Sequence, residues 1–166
     1  MAISMYQASV PVFQKMLKNL DGVLDKAVAS AEARKFDPAV LLNARLAPDM
    51  YAFTRQVQIA TDHAKGGPAR LAGLEPPKFE DKEASFPDLK ARLAGVQAYL
   101  ATLTPAQIDG SEERKIVLKF GPREFEFIGL PYLTQFVLPN FYFHYSMAYA
   151  ILRHNGVDVG KRDFVG

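Results

Sequence analysis

The sequence predicts an all-α fold, a four-helix bundle with a small β-hairpin between helices 3 and 4. Three observations predict it. Four long stretches repeat apolar residues at steps of three and four, the spacing of one helix face. The connections between them are short, as antiparallel neighbours in a bundle require. One stretch, Arg114 to Ile128, changes its period to two. The 166 residues suffice for a single domain, 1–166, with a core of its own.

The first helix is expected over about Met5 to Arg34, where Tyr6, Val10, Phe13, Leu17, Leu20, Leu24 and Ala27 form a stripe. Pro11 either marks a first turn after Ser9 or kinks the start. Asp37-Pro38 is a helix start signal, a capping carboxylate followed by proline, and predicts a short helix Pro38 to Asn43. A second long helix is expected over about Asp49 to Lys65, with Met50, Phe53, Val57, Ala60 and Ala64 as its stripe. Gly66-Gly67-Pro68 is expected to break or bend it, with one further turn from Ala69 to Leu74. Glu75 to Ala84, with two prolines and six charges, reads as a surface loop.

Ser85-Phe86-Pro87 opens the third helix. Phe86, Leu89, Leu93, Val96, Leu100 and Leu103 alternate steps of three and four until Thr104-Pro105 ends it. In the hairpin, Ile116, Leu118 and Phe120 alternate with Val117 and Lys119. Beyond Gly121-Pro122, Phe125 and Phe127 alternate with Glu124 and Glu126. The last helix, about Pro131 to His154, is apolar nearly all round, which predicts burial on every face or a subunit interface. Asn155-Gly156 is its stop, and the tail 157–166 is short and mixed.

Composition narrows the function. Lysine and arginine number 20 against 18 acids, a net charge of +2 that argues against a dedicated nucleic-acid binder. No cysteine is present, so disulfides, thiolate ligands and cysteine nucleophiles are excluded. Met1 to Gln7 lacks a basic segment followed by an apolar run, and Phe136 to Leu152 is broken by Pro139, Asn140 and His144. A cytoplasmic protein with no signal peptide and no membrane span is expected.

No GxGxxG, P-loop, HExxH or GxSxG occurs. The remaining signal is a polar residue where the helical pattern calls for an apolar one. One face of the last helix reads Leu133, Val137, Asn140, His144, Ala148, Ile151, which puts Asn140 and His144 one turn apart on a core face. Buried polar groups must find partners. Bundles build metal sites this way, and helix 2 offers His63 and Gln56. Imidazole suits zinc, nickel or iron. The alternative is a histidine satisfied by a tyrosine, a carboxylate or a backbone carbonyl. His63 near a helix end reads as solvent-facing, Asp62 as a surface charge, and His154 as a cation at a helix C-terminus. Pro139 frees the carbonyl of Gln135, beside Asn140.

Several segments carry a resemblance. They are Leu46-Ala47-Pro48-Asp49-Met50, Arg55-Gln56-Val57-Gln58-Ile59-Ala60, Ala64-Lys65-Gly66 with Ala69-Arg70-Leu71-Ala72-Gly73, and above all Leu138-Pro139-Asn140-Phe141-Tyr142-Phe143-His144. Ala148 to Gly156 and Gly160-Lys161-Arg162-Asp163-Phe164 extend it. The chain resembles the bacterial family called domain of unknown function 1993, within the DinB/YfiT-like helical-bundle superfamily. The resemblance implies a DinB-like four-helix bundle. In that superfamily a divalent metal is held by three histidines, one on helix 2 and an HxxxH pair on helix 4. Some members are thiol-dependent transferases or isomerases. Here His144 falls at the second position of the pair and Asn140 at the first. His63 is the histidine of helix 2, about a turn after the expected position near Ile59. The candidate metal set is therefore His144, Asn140 and His63.

Two functions are expected from different classes. One is a homodimeric module with a degenerate or absent metal site, able to take a small-molecule ligand. The other is a divalent-metal-dependent enzyme, a thiol transferase, isomerase or hydrolase-like protein, using zinc, nickel or iron at His144 with Asn140 and His63.

Overall fold

The stripe beginning at Val10 becomes α1 (Val10–Ala33), with Phe13, Leu17, Leu20, Leu24 and Ala27 fully buried along it. The computed structural model describes residues 3–166, apart from the side chain of Phe120. Met1, Ala2 and the Phe120 side chain thus lie outside the described part. Residues 5–9 are turns, so the helix starts five residues later than Met5. The Ser9 hydroxyl donates to the Met5 carbonyl at 2.7 Å. Pro11 falls in the first turn, where its missing N–H has no helical partner to lose. α1 ends with Lys35 in the left-handed region (φ 56°) and the Phe36 N–H on the Ala31 carbonyl at 3.1 Å. In α2 (Ala39–Leu42) the Asp37 carboxylate accepts the Ala39 N–H at 2.9 Å, the capping its sequence predicts.

α3 (Phe53–Leu71) departs from expectation at both ends. It starts four residues after Asp49 and runs straight through Gly66-Gly67-Pro68, all three buried. The reason is close packing. A Cβ on Gly67 would lie 2.5 Å from Val137 Cγ1, and one on Gly66 would lie 2.6 Å from Arg70 Nη1. The glycines let neighbours approach the helix axis, and that contact outweighs their weak helix propensity. The turn Ala69 to Leu74 is the end of the same helix. Gly73 (φ 74°) reverses the chain, and the Leu74 N–H donates to the Ala69 carbonyl at 2.8 Å.

α4 (Phe86–Leu100) follows its sequence closely. Ser85 Oγ accepts the Asp88 N–H at 3.2 Å, and Phe86, Leu89, Leu93, Val96 and Leu100 are buried. After α5 (Pro105–Ile108), β1 (Lys115–Phe120) pairs antiparallel with β2 (Arg123–Ile128), from Lys115 opposite Ile128 to Phe120 opposite Arg123. Gly121 takes φ 58° at the first central position of the two-residue loop, as a type II′ turn requires. Ile116 and Leu118 face the core, whereas Phe125 is exposed.

The last helical stretch is not one α-helix. A short α6 (Gly129–Pro131) leads into a π-helical turn, Tyr132–Val137, and then α7 (Leu138–His154). The wide turn ends just before Pro139, which has no N–H to give the Gln135 carbonyl and whose ring crowds it in an α-helix. Nor is this stretch buried on every face. Gln135, Pro139 and Phe143 lie in solvent, Phe143 at 53% exposure. α7 stops at Asn155-Gly156 as predicted, with Gly156 at φ 79°. The tail folds into α8 (Lys161–Val165), where Phe164 stacks on Tyr145 at 4.5 Å between ring centres.

The fold is mainly helical with one antiparallel hairpin. α3 packs most extensively on α7, α4 packs on both α3 and α1, and α8 covers α1. Their buried side chains form one contiguous cluster. Among the described residues, no helix is long and apolar enough to cross a membrane.

Candidate functional site

The first turn of α3 and the middle of α7 meet at Gln56 and His144. Gln56 is buried, with its Nε2 donating to the Tyr51 carbonyl at 3.2 Å. That bond fixes the amide, so its Oε1 faces the imidazole. His144 Nδ1 lies 2.7 Å from Oε1. An amide oxygen only accepts, so His144 carries its proton on Nδ1 and keeps the Nε2 lone pair open. Burial lowers the His144 pKa below the usual histidine range, and the nearby Arg55 charge lowers it further.

His63 sits two turns further along α3. Because α3 continues to Leu71, His63 is in mid-helix and largely buried, not at a solvent-facing end. Its ring lies 6.3 Å from that of His144, nearly parallel at 9°, and edge-on to Phe136 at 5.6 Å. Burial pushes its pKa down to about 4. His144, Arg70 and Lys65 add to the effect, and Asp62 opposes it. Both imidazoles are thus neutral at neutral pH.

Asn140 is placed differently. Its amide donates to the Phe136 carbonyl four residues earlier at 2.7 Å, and not to the Gln135 carbonyl that Pro139 leaves free. It makes no hydrogen bond to His144 among the described residues. The structure therefore brings His63 and His144 together and gives Asn140 a backbone partner. His154 is exposed in the last turn of α7, as predicted.

These residues do not fit a three-histidine metal centre. Among the described residues no group of three His, Cys, Asp or Glu side chains is placed to hold a metal ion. Two imidazoles on one tetrahedral ion would have ring centres roughly 5 Å apart, given metal–nitrogen bonds of about 2.0–2.1 Å. The observed 6.3 Å would have to shorten by about 1 Å.

A larger polar cluster went unread in the sequence. Arg92 of α4 is almost wholly buried. Its Nε donates to Thr61 Oγ1 at 2.7 Å, Nη2 to Asp62 at 2.7 Å, and Nη1 to Asp81 at 3.0 Å and Glu83 at 2.9 Å. Gln58 joins Glu83 at 2.7 Å, Arg55 pairs with Asp81, and Lys65 pairs with Asp62. Burial acts to raise the Glu83 pKa, but the hydrogen bonds from Arg92 and Gln58 outweigh it and hold the carboxyl below its usual range. Asp62, expected as a surface charge, is part of this cluster. The available signal was Arg92 itself, three residues after Leu89 and beside Leu93, on the edge of an apolar stripe. The cluster ties residues 75–84 to α3 and α4. Between that segment, α3 and the π turn lies a cleft of about 870 Å³, lined by His63, Arg70, Phe79, Leu118, Tyr132 and Phe136 among others.

Comparison with known proteins follows the same lines. Residues 5–165 match the family described as "Domain of unknown function (DUF1993)". A crystal structure of a DinB family member protein from Shewanella denitrificans superposes with a TM-score of 0.88. The two share 43% identity over 97% of this chain and 91% of that one. None of the curated proteins matches the chain.

Proposed function

We propose that this chain, which belongs to the DUF1993 family, is a metal-independent, homodimeric four-helix module that binds a small molecule in the cleft beside His63 and His144. The observation that carries this reading is the Gln56–His144 hydrogen bond at 2.7 Å. It makes His144 a neutral imidazole with a fixed tautomer, an oriented acceptor at Nε2, with the His63 ring 6.3 Å away as a second imidazole. A cleft of this size lies within the range of small-ligand sites. Two exposed rings flank the same end, Tyr51 and the Phe143 ring 5.2 Å from His144, and self-association would cover them.

One observation favours the second reading, a divalent-metal-dependent enzyme. Metal-binding histidines characteristically donate their other ring N–H to an oxygen, as His144 does to Gln56. The two readings separate in one experiment. The protein is stripped with a chelator, reloaded separately with zinc, nickel and iron, dialysed and analysed for metal, and its mass in solution is measured. The first reading expects metal well below one per chain and twice the chain mass. One metal per chain, lost in His144→Ala, refutes it. A monomer refutes the dimeric part.

A further inference from the structure

We propose that Arg70 is the anchor of an anion site in this cleft. Its ligand class is a small organic anion, a carboxylate or phosphate ester, with its apolar body against Leu118, Tyr132 and Phe136. The inference rests on the cleft being a ligand site, but on neither the dimer nor the missing metal.

The charges along the cleft are mostly satisfied. Arg55 is paired with Asp81, Lys65 with Asp62, and Glu80 with Lys82. Glu75 and Lys78 lie on its solvent-exposed margin with opposite charges. Arg70 differs. It is half-buried, and its one hydrogen bond among the described residues runs from Nη1 to the Tyr132 hydroxyl at 3.2 Å. Burial pushes the Tyr132 hydroxyl pKa up, so that partner is a neutral phenol. A guanidinium has five N–H donors and keeps its charge at any ordinary pH. Set partly out of water with one neutral acceptor, it is short of an anion.

The backbone is shaped for this placement. Arg70 and His63 are seven residues apart, two turns on one face of α3, with Gly66 between them. Nη1 lies so close to Gly66 that any Cβ there would sit 2.6 Å away. The glycine lets the guanidinium fold back flat along the helix toward His63. His63, held neutral, adds a hydrogen-bonding group without adding repulsion to an incoming anion's counter-charge. Leu118 from β1 and the rings of Tyr132 and Phe136 close the apolar side.

The test uses the full chain and four probes, benzoate, phenyl phosphate, neutral benzyl alcohol and inorganic phosphate, measured by calorimetry and by NMR of the histidine ring protons. The expected result is saturable binding of benzoate or phenyl phosphate. Each should bind at least about tenfold more tightly than benzyl alcohol, since a charge-assisted forked contact is added. The bound anion should also raise the pKa of His63. Arg70→Gln, which retains a donor for Tyr132, should remove the advantage, and Arg70→Lys should restore part of it. Whichever of benzoate and phenyl phosphate binds more tightly identifies the headgroup. Inorganic phosphate binding as tightly as phenyl phosphate overturns the apolar part. Equal binding of charged and neutral aromatic probes, unchanged in Arg70→Gln, overturns the anion site while leaving the cleft a ligand site. Binding of none removes both.

Discussion

Acid should destabilise this protein well before its carboxylates titrate. His63 has a pKa near 6.5 when exposed and about 4 in the fold, because burial removes the water that solvates the imidazolium. The folded state stays neutral while the unfolded chain takes up a proton. The contribution is therefore complete above pH 6.5 and is lost as the pH falls from 6.5 towards 4. Linkage gives a loss of about 2 kcal/mol at pH 5, approaching about 3 kcal/mol below pH 4. For a chain of this length that is a fall in Tm of roughly 4–8 °C between pH 7.5 and pH 5. His144 titrates in the same sense and adds to it. The assay is urea unfolding of wild type and His63→Gln at half-unit steps from pH 7.5 to 5. The variant has its own baseline stability, but its curve should be flatter by about 2 kcal/mol over that range. Parallel curves, or a His63 ring proton that titrates near pH 6.5, would refute the reasoning.

Three further outcomes follow from contacts described above. Gly67→Ala should destabilise the protein by about 1–3 kcal/mol in chemical unfolding, despite the better helix propensity of alanine, because its methyl group meets Val137. Adding Val137→Ala should recover part of the loss. Arg92→Leu should cost about 3 kcal/mol by the same measurement, since it leaves Glu83 buried without its cation and takes one of two cations from each of Asp62 and Asp81. Gln56→Glu keeps an oxygen on His144 Nδ1 and adds a negative charge. An NMR titration should place the His144 pKa above its wild-type value, and no change would show that the 2.7 Å contact is not made in solution.

Where one apolar face decides the structure, the sequence was enough. The stripes of α1 and α4 are buried residue by residue, and the period-two segment is a hairpin with Ile116 and Leu118 inward. The sequence misleads where a tertiary contact overrides a local preference. Gly66-Gly67-Pro68 looks like a helix break until Val137 and Arg70 are seen against it. Ending α3 early then misplaced His63 at a helix end. The π turn Tyr132–Val137 interrupts what the apolar pattern shows as one α-helix, which no 3.6-residue template anticipates. His144 was found because it is polar on an apolar face, and Gln56 was found as its possible neighbour on α3. Arg92 breaks the same rule on α4. Its four side-chain oxygen partners come from α3 and from a loop that reads as surface, so their convergence is invisible along the chain.

The fastening of residues 75–84 has a consequence for how the molecule responds to its solvent. This segment forms one wall of the cleft without any helix or strand of its own, held by Arg92, Arg55 and Gln58 and by Phe79 lying beneath Lys65 and Arg92. The helical core is held by apolar burial. Salting-out anions such as sulfate tighten apolar burial, while added ions of any kind screen the partly exposed charge pairs. Rising sulfate concentration therefore firms the body of the protein and slackens the exposed Arg55–Asp81 tie of its wall. Core and cleft answer to salt in opposite directions, and the cleft's capacity is set by the medium as well as by the sequence.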